Sequence, residues 1–194
     1  YYPAMKMLGN ARFALKEYEA ARDVYMEILE KDSYVDDAYI GMIQANQKII
    51  EKNLDILKQN PENHKAAFEV AWAYYRNGEN ESAVETLNRF RPDADEEIQY
   101  YNVKGRSLLS GKEYEEALGC LSHWKKILEE KEAHRGDDCS EELEKQLRRL
   151  PYVHQLIARC YMNLGNMELA EQYLELPIHV EHREQPDAYE AYCQ

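Results

Sequence analysis

The feature that most constrains this chain is a short pattern that returns in register. Leu8-Gly9, Tyr18, Ala21 and Tyr25 mark one copy, and Tyr74, Gly78 and Ala83 mark another. Gly105, Tyr114, Ala117 and Leu121 mark a third, and Tyr161, Gly165 and Ala170 a fourth. Each copy has helical spacing, a turn, then helical spacing again, over about 34 residues. A helical hairpin of that size cannot bury its apolar face alone. Stacking against neighbours buries a continuous core and leaves a concave surface open to a partner.

These residues fit L-G-x2-Y, a turn, then A-x3-F/Y, and by them the chain resembles the tetratricopeptide-repeat family. The resemblance implies an all-α fold, a right-handed α-solenoid of about five helix–turn–helix repeats. The repeats are expected near residues 2–35, 36–63, 64–97, 98–133 and 151–178, as one solenoid over 1–194. An irregular segment, 134–150, carries an extra helix before the last repeat, and a further helix begins at 187–194.

The first copy predicts helices over Ala4–Leu15 and Glu17–Lys31, with Gly9 and Ala21 where the two must approach closely. The second copy is shortened. Tyr39 and Met42 suit its first helix, and Ile56, Leu57 and Pro61 the end of its second, but about six residues of the turn are absent. Nothing between Gly41 and Asn60 breaks a helix. Two readings are open: one fused helix over Asp37–Gln59, or a turn missing from the sequence. The spacing of Pro61 from Ile49, Ile56 and Leu57 favours the missing turn.

In the third copy Gly78 is the turn residue, and Ala83, Leu87 and Phe90 lie on the second helix, which Pro92 ends early. In the fourth, the second helix continues to Ala133. Asp138 with Glu141 resembles a capping box opening a helix with Leu143, Leu147 and Leu150, which Pro151 ends or kinks. Pro177 and Pro186 bracket an irregular stretch, and Asp187 is a candidate N-cap.

Net charge is −13, which argues against a general affinity for nucleic acid or an anionic membrane surface. No run approaches the roughly 18 apolar residues of a membrane span. Cys120, Cys139, Cys160 and Cys193 are scattered, forming neither a metal knuckle nor a disulfide framework, as suits a reducing cytoplasm. The chain begins inside a repeat at Tyr1-Tyr2-Pro3 without an initiator methionine, as a segment cut from a longer polypeptide would.

In the resembled family the first helix of each repeat lines the concave face. Carried over position by position, this places Lys6 and Asn10 there from the first copy and Lys65, Phe68, Trp72, Tyr75 and Arg76 from the third. Asn102 and Arg106 follow from the fourth copy and Arg159 from the fifth. With Lys48 and the single acid Asp37, the inward set carries +5, counting six cations against one carboxylate. A basic, amide-rich and aromatic lining suits an extended acidic or carboxylate-bearing peptide.

Some co-chaperones of the family clamp the terminal carboxylates of heat-shock chaperone tails with K-x2-G-N, then Asn, then K-x3-R. Lys6-Met7-Leu8-Gly9-Asn10 matches the first element and Lys65 the third-repeat Lys. Gly41 and Glu69 stand at the other two positions, leaving the clamp incomplete, and Glu69 would repel a carboxylate.

No nucleotide-binding or nucleophile motif occurs. His179, Glu181 and His182 fall one residue short of H-E-x2-H, and His134 with Cys139 is a weaker pair. The expected function is a protein–protein interaction scaffold, not an enzyme, with no cofactor, metal or nucleic acid. The alternative is a peptide-sensing regulatory domain of a larger protein.

Overall fold

The computed structural model describes residues 2–134 and 140–181. Among these the chain forms helices and no strands: α1 (Tyr2–Ala14), α2 (Tyr18–Lys31), α3 (Asp36–Gln59), α4 (His64–Arg76), α5 (Asn80–Asn88), α6 (Glu97–Ser110), α7 (Tyr114–Ala133), α8 (Glu141–Leu147), α9 (Leu150–Asn163) and α10 (Met167–Glu181). They fall into two compact units, Tyr1–Pro92 and Asp93–Gln194.

Four hairpin turns share one chemistry. Lys16, Gly78, Lys112 and Gly165 adopt positive φ, 62°, 81°, 67° and 78°. In each turn the next residue's amide reaches back to close the same wide loop. Glu17 N–H donates to Arg12 O, Glu79 to Tyr74 O, Glu113 to Leu108 O and Asn166 to Tyr161 O, at 2.9–3.0 Å. This is the Schellman arrangement, which satisfies carbonyls that a helix end would otherwise leave open.

In the first unit, α1 and α2 close on a small residue. A Cβ added at Gly9 would lie 2.6 Å from the Tyr25 ring, and one at Gly41 of α3 would lie equally close. One aromatic ring therefore occupies space that two glycines leave free. Ala21, Tyr25, Ile28, Ala38 and Met42 form the buried core around it.

The shortened second copy corrects the favoured reading of a missing turn. Residues Asp36–Gln59 are one continuous helix. No Gly or Pro interrupts its second half, and its apolar face serves two partners in succession. Ala38 and Met42 pack into the α2 core, and Ile49 and Ile50 pack with Ala73 of α4. The expected role of Phe90 on a helix is also corrected: α5 stops at Asn88. Phe90 lies beyond it, stacked on His64 (4.5 Å) and edge-on to Phe68 (5.3 Å).

In the second unit, Gly105 of α6 lies against Leu121 of α7, where a Cβ would sit 2.8 Å from Leu121 Cδ2. Gly9–Tyr25 and Gly105–Leu121 are both sixteen residues apart, so the two units repeat one close-approach device. The cap of α8 is Ser140, whose Oγ accepts from Leu143 N–H at 3.2 Å, and not the expected Asp138, which lies outside the described residues. Pro151 stands in the first turn of α9, where its missing N–H costs nothing. Val153, Ile157 and Cys160 of α9 are buried, and α9 packs on α7 and α10. The stretch expected to be irregular after Pro177 is helical as far as Glu181. Pro186 and Asp187 lie outside the described residues.

Candidate functional site

In the first unit, the expected concave residues do not form one lining. Lys6 forms an ion pair with Asp37 across α1 and α3, which raises the ammonium pKa above its usual value. Tyr25 donates its hydroxyl to Asn10 Oδ1 at 2.8 Å. Gly41 is covered by the Tyr25 ring. Glu69 is held by Arg22 of α2 at 3.1 Å. Every side chain at the clamp positions of α1, and Glu69 on α4, is thus engaged with a neighbour.

The fused α3 is the cause. It carries α2 and α4 along its length, each in contact with it. α2 and α4 run parallel, as the paired residues show. Arg22 meets Glu69, and four residues on Met26 meets the Arg76 guanidinium. Lys65, Glu69, Trp72 and Arg76 form one stripe of α4 at helical spacing. That stripe looks across to α2, a second helix of a repeat, and not to the first helices that the resemblance places on the concave face. Trp72 and Tyr75 meet edge-on at 5.7 Å, and Arg76 lies 5.4 Å over the Trp72 ring. Phe68 is a correction: it is buried under Phe90 and belongs to the core.

Between α2 and α4 is a cleft of about 450 Å³. Glu19, Lys52, Asn53, Ile56, Asn63, Lys65, Ala66 and Glu69 line it. Glu19 and Lys52 pair at 2.8 Å. Burial pushes the Glu19 carboxyl up, but Lys52 outweighs it and the net pKa is lowered. Asn53 is on the floor, with its amide N–H donated to Ile49 O at 2.9 Å.

In the second unit, α6 and α9 bring three of the expected residues to one region. Arg106 lies 5.6 Å over the ring of Tyr152, which is exposed. Asn102 stands one turn before Arg106 on α6. It is buried, and its side-chain oxygen has no hydrogen-bond partner among the described residues. Arg159 is exposed on α9, two turns beyond Tyr152 and on the same face. Met162, 46% exposed, continues that face. Tyr152 and Met162 stand, like Arg159, at the inward positions that the resemblance assigns to the fifth copy.

Burial pushes the Cys160 thiol up to about 11 and also raises that of Cys120, so neither is a poised nucleophile. Of the expected weak metal pairs, His134 has its Nδ1 against Glu130 O at 2.6 Å. Cys139 and His182 lie outside the described residues. Among the described residues no helix is long and apolar enough to cross a membrane.

Stacked helical hairpins with glycine-backed contacts define a helical-repeat protein. A family model described as anaphase-promoting complex, cyclosome, subunit 3 matches residues 44–123, and a tetratricopeptide-repeat model matches residues 151–176. No curated protein matches the chain. Among solved structures, MamA is similar at 14% identity and a TM-score of 0.54, over 90% of this chain and 95% of that one. TTC0263, a thermophilic TPR protein in Thermus thermophilus, is similar at 14% identity and a TM-score of 0.50, over 100% of this chain and 97% of that one. At such identities the likeness is one of fold. The chain is a tetratricopeptide-repeat protein, and the function such repeats carry in general is that of a protein–protein interaction scaffold.

Proposed function

We propose that the chain holds an extended, acidic peptide segment along the exposed face of α6 and α9. The observation that carries this reading is Asn102: a buried amide with an unpaired oxygen, one turn from an arginine that lies over an exposed tyrosine ring. A buried polar atom without a partner costs roughly 1–3 kcal/mol, which a ligand's hydrogen bond would recover. Arg106 and Arg159 supply charge-assisted hydrogen bonds to carboxylates, and Tyr152 and Met162 supply an apolar anchor. Binding requires no chemistry at the protein, and the partner loses most of the ordering entropy, because packed helices already fix the surface.

An array of acidic, neutral and basic peptides tests this, read with the unaltered chain and with Arg106→Glu and Arg159→Glu. Acidic peptides should be retained at low salt and lost on either reversal. Retention of the same peptides by the reversed proteins would refute the reading.

A further inference from the structure

The cleft between α2 and α4 exists because α3 is unbroken, and the α6–α9 surface does not use it. Its charges are unevenly spent. Glu19 is bound by Lys52 and Glu69 by Arg22, so each carboxylate already has its counter-charge. Lys65 is exposed and has no ion pair among the described residues. The lining thus presents one uncompensated cation, on α4, and a second ammonium, that of Lys52 on α3, which stays exposed in its pair with Glu19. Beside them Ile56 and Ala66 give the floor an apolar strip. From Lys65 to Glu69 the α4 wall runs about 6 Å at 1.5 Å per helical residue. An extended chain advances about 3.3 Å per residue, so roughly two residues fit.

We propose that this cleft is a separate recognition site, taking an extended peptide segment that carries a carboxylate beside an aliphatic side chain. The carboxylate sits between Lys65 and Lys52, and the aliphatic group lies over Ile56 and Ala66. The Arg22–Glu69 pair lies one turn beyond Lys65 on α4 and limits the length of segment admitted. Glu69, already paired with Arg22, offers no cation to a second carboxylate there, so the segment carries its acid at one end only.

The test uses the intact chain and an acetylated, amidated tripeptide of aspartate, leucine and alanine, with its single acid at the N-terminal end. A control peptide has asparagine for the aspartate. Binding is followed by nuclear magnetic resonance at the Asn53 side-chain amide and the Ile56 methyl groups, which report the cleft alone. Both should shift with the acidic peptide, and at least tenfold more control peptide should be needed. Lys65→Glu, an exposed change, should weaken the cleft response at least tenfold while Arg106→Glu and Arg159→Glu leave it unmoved. The proposal falls if Asn53 and Ile56 do not shift at saturating peptide. It also falls if Lys65→Glu leaves their titration unchanged, or if the control binds equally well. Signals from Tyr152 and Met162 report the α6–α9 surface in the same spectra, so one site can fail without the other.

Discussion

The ring of Tyr25 occupies the place of a side chain at Gly41. A methyl group there would lie 2.6 Å from Tyr25 Cζ, well inside van der Waals contact. The same ring presses on Gly9, and its hydroxyl is fixed by Asn10. Neither α1 nor α3 can retreat without opening the core of Ala21, Ile28 and Met42. Gly41→Ala is therefore expected to destabilise the first unit by about 1–3 kcal/mol, the usual cost of overpacking. Tyr25→Leu should cost stability alone yet relieve the alanine. Urea unfolding of the two single variants and the double variant measures the coupling. Additive effects would show that the ring and the glycine do not share this space.

The four turns predict a gain. Lys16 and Lys112 hold the left-handed conformation that Gly78 and Gly165 adopt freely. A side chain there strains the backbone by roughly 1–2 kcal/mol, and glycine loses more freedom on folding, about 0.5–1 kcal/mol. Lys112→Gly should therefore be neutral to stabilising by about 1 kcal/mol, and Gly165→Ala destabilising by a similar amount. Thermal melts of both settle the sign. A clear loss of stability in Lys112→Gly would mean that its Cβ is not strained.

The hairpins were legible because the repeat fixes a local chemistry. Glycine at the close approach, a packing residue sixteen positions on, and a left-handed turn residue can all be read without neighbours. The fused α3 was not, since a lost turn leaves the same residues whether the helices join or a loop is missing. The site suffered from that. Inward positions carried over from a regular repeat assume that α4 lines up beside the first helices, but an unbroken α3 brings α2 opposite it. Arg22 and Met26 of α2, which are not among the inward positions carried over from the family, are the partners of Glu69 and Arg76. In the fourth and fifth copies, which have whole turns, Arg106 of one first helix does meet Tyr152 of the next.

The first helix carries an apolar face that nothing in its own unit covers. Met7 and Leu8 are 72% and 43% exposed, and Leu15, just past the helix end, is 68% exposed. At the same repeat position as Leu8, Val70 of α4 and Ile157 of α9 are fully buried. Leu8→Ser is therefore expected to change stability by less than about 0.5 kcal/mol. Ile157→Ala should cost about 2–5 kcal/mol, through lost burial and the cavity it leaves. Chemical denaturation of both variants makes the comparison. A large loss in Leu8→Ser would show that this face is covered.

His154 makes the second unit sensitive to mild acid. It is buried on α9, with Tyr173 of α10 edge-on at 5.9 Å. Burial lowers its pKa below the ordinary 6.5, Lys125 of α7 lowers it further, and Glu129 opposes them weakly. Its Nε2 has no hydrogen-bond partner among the described residues, so a proton there gains no contact. Below about pH 6.5 the unfolded chain takes up a proton that the folded chain refuses. The contribution of His154 to stability is thus complete above that pH and is lost as the pH falls through the lower folded value. In His154→Gln the urea midpoint should change less between pH 7 and pH 5 than in the unaltered chain. Below about pH 5 both should weaken together, as carboxylates are protonated. An identical slope in the two proteins from pH 7 to pH 5 would mean that the imidazole remains free to charge in the folded state.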